Sequence, residues 1–351
     1  MRIAFRICAL GLAVLCGPCV RAQTEPPKAP STLTVTSTLV VVPTLVRSPD
    51  GNLLHTLSAQ DFKLLDNGVE QSVSIEESER QPVAIVVLLQ IGGDGSRQFA
   101  SYAKLPTMLD YLAGNSSHKF ALVTFDSQPE EEWSFTSNAA ELEDGLCHPE
   151  AGDHGAALFD AIDHGVDMLQ QQPANTRRIL VLLSQPQDVG SHAHVEDIVR
   201  RLGENNVTIY SITFSPEQTW LKDQFNPTKP HPAEPYYKVT EELPPVLNTF
   251  NLSRPLGVAM RAMQTNAAAE VASLSGGESF QFSDKKSLEQ QLSVVANHIP
   301  NRYLLSFRPA SKETGFHTLQ VQVQNHPELS ISARTGYWSG ESKVSPPAAL
   351  R

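Results

Sequence analysis

Residues 83–89 form an unbroken apolar run rich in β-branched side chains, bounded by Pro82 and by glycines at 92, 93 and 95. A run of this length between such breakers predicts a strand buried on both faces. Strands of this kind lie in the middle of parallel sheets covered by helices on each side. From Pro82 onward the pattern alternates between strand and helix. It predicts a helix over 99–112 ending at Gly114, a strand over 120–125 and a short edge strand over 132–135. Ser137 and Asn138 are placed to cap a helix over 139–146. Residues 156–172 carry Leu158, Ile162, Val166 and Leu169 on one helical face. Strands follow at 179–183, 207–214 and around Phe280 and Phe282, with helices at 195–202, 267–274 and 287–295. This order predicts an α/β fold with a doubly wound, mostly parallel sheet over residues 81–300.

The flanks follow a two-residue period instead. Residues 33–46 alternate and are β-branched, and Ser48-Pro49-Asp50-Gly51-Asn52 reads as a turn. Short strand-like pieces at 53–57, 62–65 and 69–75 surround Asp66-Asn67-Gly68, a hairpin signal. At the other end, 302–309, 318–324 and 329–335 read as strands, with a turn at Asn325-His326-Pro327. Neither block is large enough for a core of its own. The N-terminal segment 33–80 and the C-terminal segment 301–338 are therefore expected to pack together as one small flanking β-sandwich. Between them, residues 216–255 form a Pro-rich insertion bearing Trp220, Phe225, Tyr236, Tyr237 and Phe250.

The ends add a destination. Residues 1–22 read as a signal peptide, with Arg2 and Arg6 before an apolar core and Val20-Arg21-Ala22 before the cleavage point. A polar linker follows at 23–32, and a disordered tail is expected at 339–351. No stretch reaches the ~18 consecutive apolar residues of a membrane-spanning helix. The expectation is Sec export to the periplasm or beyond, as a protein without a membrane span. Of four cysteines only Cys147 lies outside the signal, which leaves no intrachain disulfide after export. The chain has 38 acidic against 27 basic residues, a net charge of −11, and no basic cluster. That balance argues against nucleic acid and anionic membranes as partners.

Four stretches carry a resemblance. They are residues 40–62 with Asp66-Asn67-Gly68-Val69-Glu70-Gln71; the strand 83–90; His154-Gly155-Ala156-Ala157-Leu158-Phe159-Asp160-Ala161; and Asn301-Arg302-Tyr303-Leu304-Leu305-Ser306-Phe307 with the closing Arg334-Thr335-Gly336-Tyr337-Trp338. In this order they resemble the VWFA-related family of exported, acidobacterial-type proteins built on a von Willebrand factor type A domain. The resemblance implies a type A-like, Rossmann-like sheet whose upper edge contacts a protein or cell-envelope component. In many type A domains that edge holds Mg²⁺ or Ca²⁺ in a metal-ion-dependent adhesion site. Here the family's first Asp position is Gln90, its two Ser positions are Gly92 and Asp94, its Thr is Ala156, and its later Asp is Gln185. Amides bring no charge to a hard cation that prefers oxygen ligands. The implied site is degenerate, no cofactor is expected, and Gln90 and Gln185 are expected to face each other and hydrogen-bond. The expected partner-binding residues are Gln90, Asp94, Ser96, His154, Gln185 and Asp188. Metal-dependent adhesion through Asp94 is the rival reading.

A second rival is a metal-dependent hydrolase. Residues 148–167 gather His148, Asp153, His154, Asp160, Asp163, His164 and Asp167. On a helix, 160, 163 or 164, and 167 share one face opposite the apolar stripe, as a solvated face should. Outside the expected signal peptide, which carries Cys16-Gly17-Pro18-Cys19, no HExxH, CxxC, GxSxG, phosphate loop or GxGxxG stands at the required spacing. The chain is accordingly read as a binding module rather than an enzyme.

Overall fold

A computed structural model describes residues 39–77, 81–112, 114, 116–214, 256–311 and 313–339. The expected signal peptide, linker and insertion 216–255, and all of the expected tail but Ser339, lie outside the described residues. Along the chain run β1 (Val40–Arg47), β2 (Phe62–Asp66), β3 (Val69–Gln71), β4 (Ser74–Glu76), β5 (Val83–Gln90), α1 (Leu105–Leu112), β6 (His118–Phe125), β7 (Pro129–Thr136), α2 (Glu143–Cys147) and α3 (Leu158–Gln170). Then come β8 (Arg177–Ser184), α4 (Val195–Glu204), β9 (Val207–Phe214), α5 (Leu256–Ser275), β10 (Glu278–Phe282), α6 (Lys285–His298), β11 (Tyr303–Phe307), β12 (Gly315–Val323), β13 (Ser330–Ala333) and β14 (Gly336–Ser339).

The central sheet has six strands in the order β10-β9-β8-β5-β6-β7, all parallel except the edge strand β7. Every residue of β5 is buried. Ala84, Val86 and Leu88 face a core shared with α3, α4 and α5, while Val83, Ile85, Val87 and Leu89 face one shared with α1, α2 and α6. Two apolar cores on opposite faces explain why the run shows no alternation. The chain proceeds from β5 outward through β6 to β7, then returns to β8 and proceeds the other way. The direction reverses between β5 and β8, and in open α/β sheets the ligand crevice opens at the strand ends beside that switch.

Two four-stranded antiparallel sheets flank this domain, in the orders β13-β1-β11-β4 and β14-β12-β2-β3. Each mixes strands from both ends of the chain. Val42 pairs with Leu305 and Leu64 with Val321. Val40, Val42, Phe62, Leu64, Leu305, Phe307, Leu319 and Val321 fill the single core between them. A buried ion network ties this sandwich to the central sheet. Glu278 on β10 accepts from Arg302 at 2.7 Å, meets His298 at 2.8 Å and pairs with Arg47 on β1. Arg302 also donates to Tyr210 Oη at 2.8 Å and to the Gly276 carbonyl.

Several elements differ from the expectation. Residues 99–112 are not one helix: a 3₁₀ segment covers Gly93–Ser101 and α1 begins anew at Leu105. Pro106 supplies the reason, since it lacks an N–H and is tolerated only in a first turn. The piece 53–57 makes one isolated bridge, Arg47 to Leu53. The Leu54 N–H goes to the Val46 carbonyl and that of Leu57 to Tyr303 Oη, so no ladder forms. The edge strand expected at 132–135 is longer, spanning Pro129–Thr136. The piece 329–335 ends at Ala333, and the chain then crosses to the other sheet as β14, which takes in Ser339 from the expected tail. Arg334 makes the crossing, donating to the carbonyls of Gly336 and Val41.

Candidate functional site

The carboxyl ends of β5 and β8 bring Gln90 and Gln185 together. Gln90 is fully buried and Gln185 partly so. Gln90 Nε2 donates to Gln185 Oε1 at 3.2 Å and to the Gly92 carbonyl at 3.0 Å. The Gln185 backbone N–H returns a bond to Gln90 Oε1 at 2.8 Å. Gln185 Nε2 is spent on the Gln187 carbonyl. The Nε2 group of Gln90, with two acceptors, and the side-chain oxygens of both amides are thus engaged with protein groups, as buried amides require.

Three loops close over this pair. The Gly93 N–H donates to the Asp153 carbonyl, the Gly152 N–H to the Ile91 carbonyl, and the Ala157 N–H to the Asp126 carbonyl. Gly92 is where the loops come nearest. A Cβ there would stand 2.4 Å from the Gly155 carbonyl oxygen and 2.6 Å from Asp126 Cβ. The position at which the resemblance expects a Ser therefore holds no room for any side chain. Ala156, at the expected Thr position, is buried and bridges Val189 through its backbone.

The remaining expected residues sit on the same upper edge without converging. Asp94 pairs with Arg97 at 3.1 Å. Ser96 Oγ donates to the Gly93 carbonyl at 3.1 Å. His154 is exposed. Asp188 accepts from the Ser191 hydroxyl and from the Phe159 N–H at 3.2 Å, in the first turn of α3. Carboxylates are stabilising there, so a capping role accounts for Asp188. As a cation site the five family positions do not fit: they offer two mutually bonded amides, an alanine, a glycine with no space, and an aspartate turned to an arginine. Hard divalent cations need a ring of oxygens, several of them charged.

Sequence reasoning missed Asp126, Ser127 and Ser191, and named Asp153 only within the His/Asp segment; all four shape this edge. Asp126, 5 % exposed, accepts from the Asp153 N–H at 2.9 Å and from the Gln128 N–H. Asp153 accepts from Ser127 and from the Gly155 N–H at 2.6 Å. Hydrogen bonds from the Ser127 hydroxyl and the Gly155 N–H hold the Asp153 carboxyl below its ordinary value. The available signal for Asp126 was its place directly after a predicted strand beside the switch point.

The His/Asp segment is dispersed rather than gathered. Asp163 and Asp167 both pair with Arg201 on α4. Burial raises the Asp163 carboxyl above its ordinary value despite that arginine. His164 meets Glu132 at 2.8 Å, and Asp160 accepts from the N–H groups of His192 and Ala193. Among the described residues no three His, Cys, Asp or Glu side chains are grouped to hold a metal. Cys147 is partly buried, with Sγ 3.9 Å from the Tyr102 carbonyl.

Residues 96–242 match the von Willebrand factor type A domain family. No curated protein matches the chain in sequence. Among solved structures, the chain is similar to a von Willebrand factor type A protein from Catenulispora acidiphila at 9% identity and a TM-score of 0.40, over 87% of this chain and 64% of that one. It is similar to an aerotolerance-related membrane protein from Bacteroides fragilis at 12% identity and 0.37, over 61% and 98%. It is also similar to a minor pilin from Streptococcus sanguinis at 10% identity and 0.40, over 74% and 78%.

Proposed function

We propose that this chain, whose residues 96–242 match the von Willebrand factor type A domain family, is an exported, non-enzymatic binding module that contacts a protein or envelope component through the upper edge of its central sheet, without a metal. The observation that carries this reading is the reciprocal Gln90–Gln185 bond. It occupies, with neutral amides, the two positions where a metal-dependent relative needs its carboxylates. The edge keeps its exposed place at the topological switch, where binding sites of such sheets lie.

A second feature supports contact with a protein. Val189 is 49 % exposed in the loop after β8, anchored by two backbone bonds to Ala156 at 3.1 and 2.8 Å. An apolar side chain held outward by a rigid backbone suits a surface that a partner dehydrates. Asp94, Ser96, His154 and Asp188, elsewhere on the same edge, would supply polar contacts to such a partner. The acidic balance of the chain favours a neutral or basic partner surface.

The test is capture from a cell-envelope extract by the purified protein, in Mg²⁺ and in chelator, with Val189→Asp beside the wild type. The reading expects the same partner in both buffers and its loss with the variant. Capture that requires Mg²⁺, or that survives Val189→Asp undiminished, contradicts it.

A further inference from the structure

At the opposite end of the sheet, where β8 begins, a cavity of about 130 Å³ opens between the central domain and the sandwich. Arg177, Arg178 and Arg302 line it, with Thr176, Tyr210 and Glu76. The three arginines are placed differently. Arg302 has its counter-charge in Glu278 at 2.7 Å. Arg178 spends Nε, Nη1 and Nη2 on the carbonyls of Leu169, Asn205 and Gln172, at 3.0 to 3.1 Å. Arg177 gives one Nη2 bond to the Ile299 carbonyl at 2.6 Å. Among the described residues no carboxylate pairs with Arg177 or Arg178.

In a chain of net charge −11 this is the reverse of what composition leads one to expect. The guanidiniums of these consecutive strand residues, turned to opposite faces of β8, each meet only neutral oxygens. Desolvation lowers both below the ordinary arginine value. A half-buried cation without a counter-ion is costly, and an anion brought beside it removes that cost. Guanidinium groups also suit the planar or tetrahedral oxygens of small oxyanions, which they grip through paired N–H bonds. The cavity is large enough for such an ion with water around it, given about 30 Å³ for each water. Among the described residues the acid on its wall is Glu76, bound on Oε1 by Ser306 Oγ at 2.6 Å.

We propose that this junction cavity binds a small oxyanion, with Arg177 as its counter-charge and Glu76 as the opposing charge that limits affinity. An ion seated there touches both the β8 end of the central sheet and the β4 and β11 edge of the sandwich. It would thereby fasten the two parts at a second point, beside the Glu278 network.

The test is titration calorimetry of the purified full chain with inorganic phosphate, sulfate and acetate, in chloride buffer at constant ionic strength. At least one of the three should bind saturably. Arg177→Gln should weaken that binding at least about tenfold, a loss of about 1.4 kcal/mol. Glu76→Gln, which removes the opposing charge and keeps an acceptor for Ser306, should tighten it several-fold. No saturable binding by any of the three ions overturns the proposal. Undiminished binding by Arg177→Gln does so too, and if that variant does not fold, unchanged affinity in Glu76→Gln decides against it.

Discussion

Gln90 and Gln185, ninety-five positions apart, form a closed pair in which each donates to the other: Nε2 to Oε1 at 3.2 Å one way and backbone N–H to Oε1 at 2.8 Å the other. The pair exists because β5 and β8 are parallel neighbours whose last residues end side by side, Leu89 opposite Leu183. Its chemistry is neutral and self-satisfied. That makes the crown of the sheet a stable surface without an added charge.

The first prediction follows from that pairing. Gln90→Glu sets a carboxylate at a fully buried position against the carbonyl oxygens of Gly92 and Gln185. The variant should lose about 1–3 kcal/mol at pH 7. Burial raises such an acid above its unfolded value of about 4.3. The loss is therefore full above the raised folded value and vanishes below the unfolded one, where the protonated acid again donates to Gln185. Chemical denaturation at pH 7 and pH 4 should show the deficit shrinking on acidification.

Gly92→Ala provides a steric counterpart. The added Cβ meets the Gly155 carbonyl and Asp126 Cβ, both backbone-fixed, at 2.4 and 2.6 Å. Overpacking of this kind should cost about 1–3 kcal/mol. A shift of the denaturation midpoint with an unchanged slope is the expected readout.

The Glu278 network gives a pH-dependent prediction. Burial alone would raise the Glu278 carboxyl, but Arg302, His298 and Arg47 outweigh it and hold it far below the usual carboxylate range. A depressed acid stabilises the fold above its unfolded value of about 4.3 and loses that contribution as pH falls toward the folded one. Glu278→Gln should destabilise by about 3–5 kcal/mol at pH 7, because it leaves Arg302 buried without its counter-charge. The gap between wild type and variant should stay constant above about pH 5 and narrow below it. Denaturation curves from pH 7 to pH 3 measure this.

Much of the fold was legible because periodicity is a local signal. The run 83–89 announced a strand between two cores, and the two β-rich ends, each too small alone, had to share one. What stayed hidden depends on contacts distant in sequence. That Arg334 carries the chain from one sheet of the sandwich to the other follows from carbonyls at 41 and 336, not from its neighbours. The facing of Gln90 and Gln185 was legible once two parallel strands were placed side by side. Asp126 and Asp153 were not, since their roles rest on N–H groups of loops whose approach is set by Gly92, Gly152 and Gly155. The His/Asp segment looked like a cluster in one dimension only, and Arg201, His192 and Glu132 divide it in three.

The most direct test of a metal-free binding edge is titration calorimetry of the purified protein with Mg²⁺, Ca²⁺ and Mn²⁺, beside Asp94→Ala. The account predicts no saturable binding of any of the three at millimolar concentration, and identical traces for the variant. Micromolar binding that disappears in Asp94→Ala would contradict it.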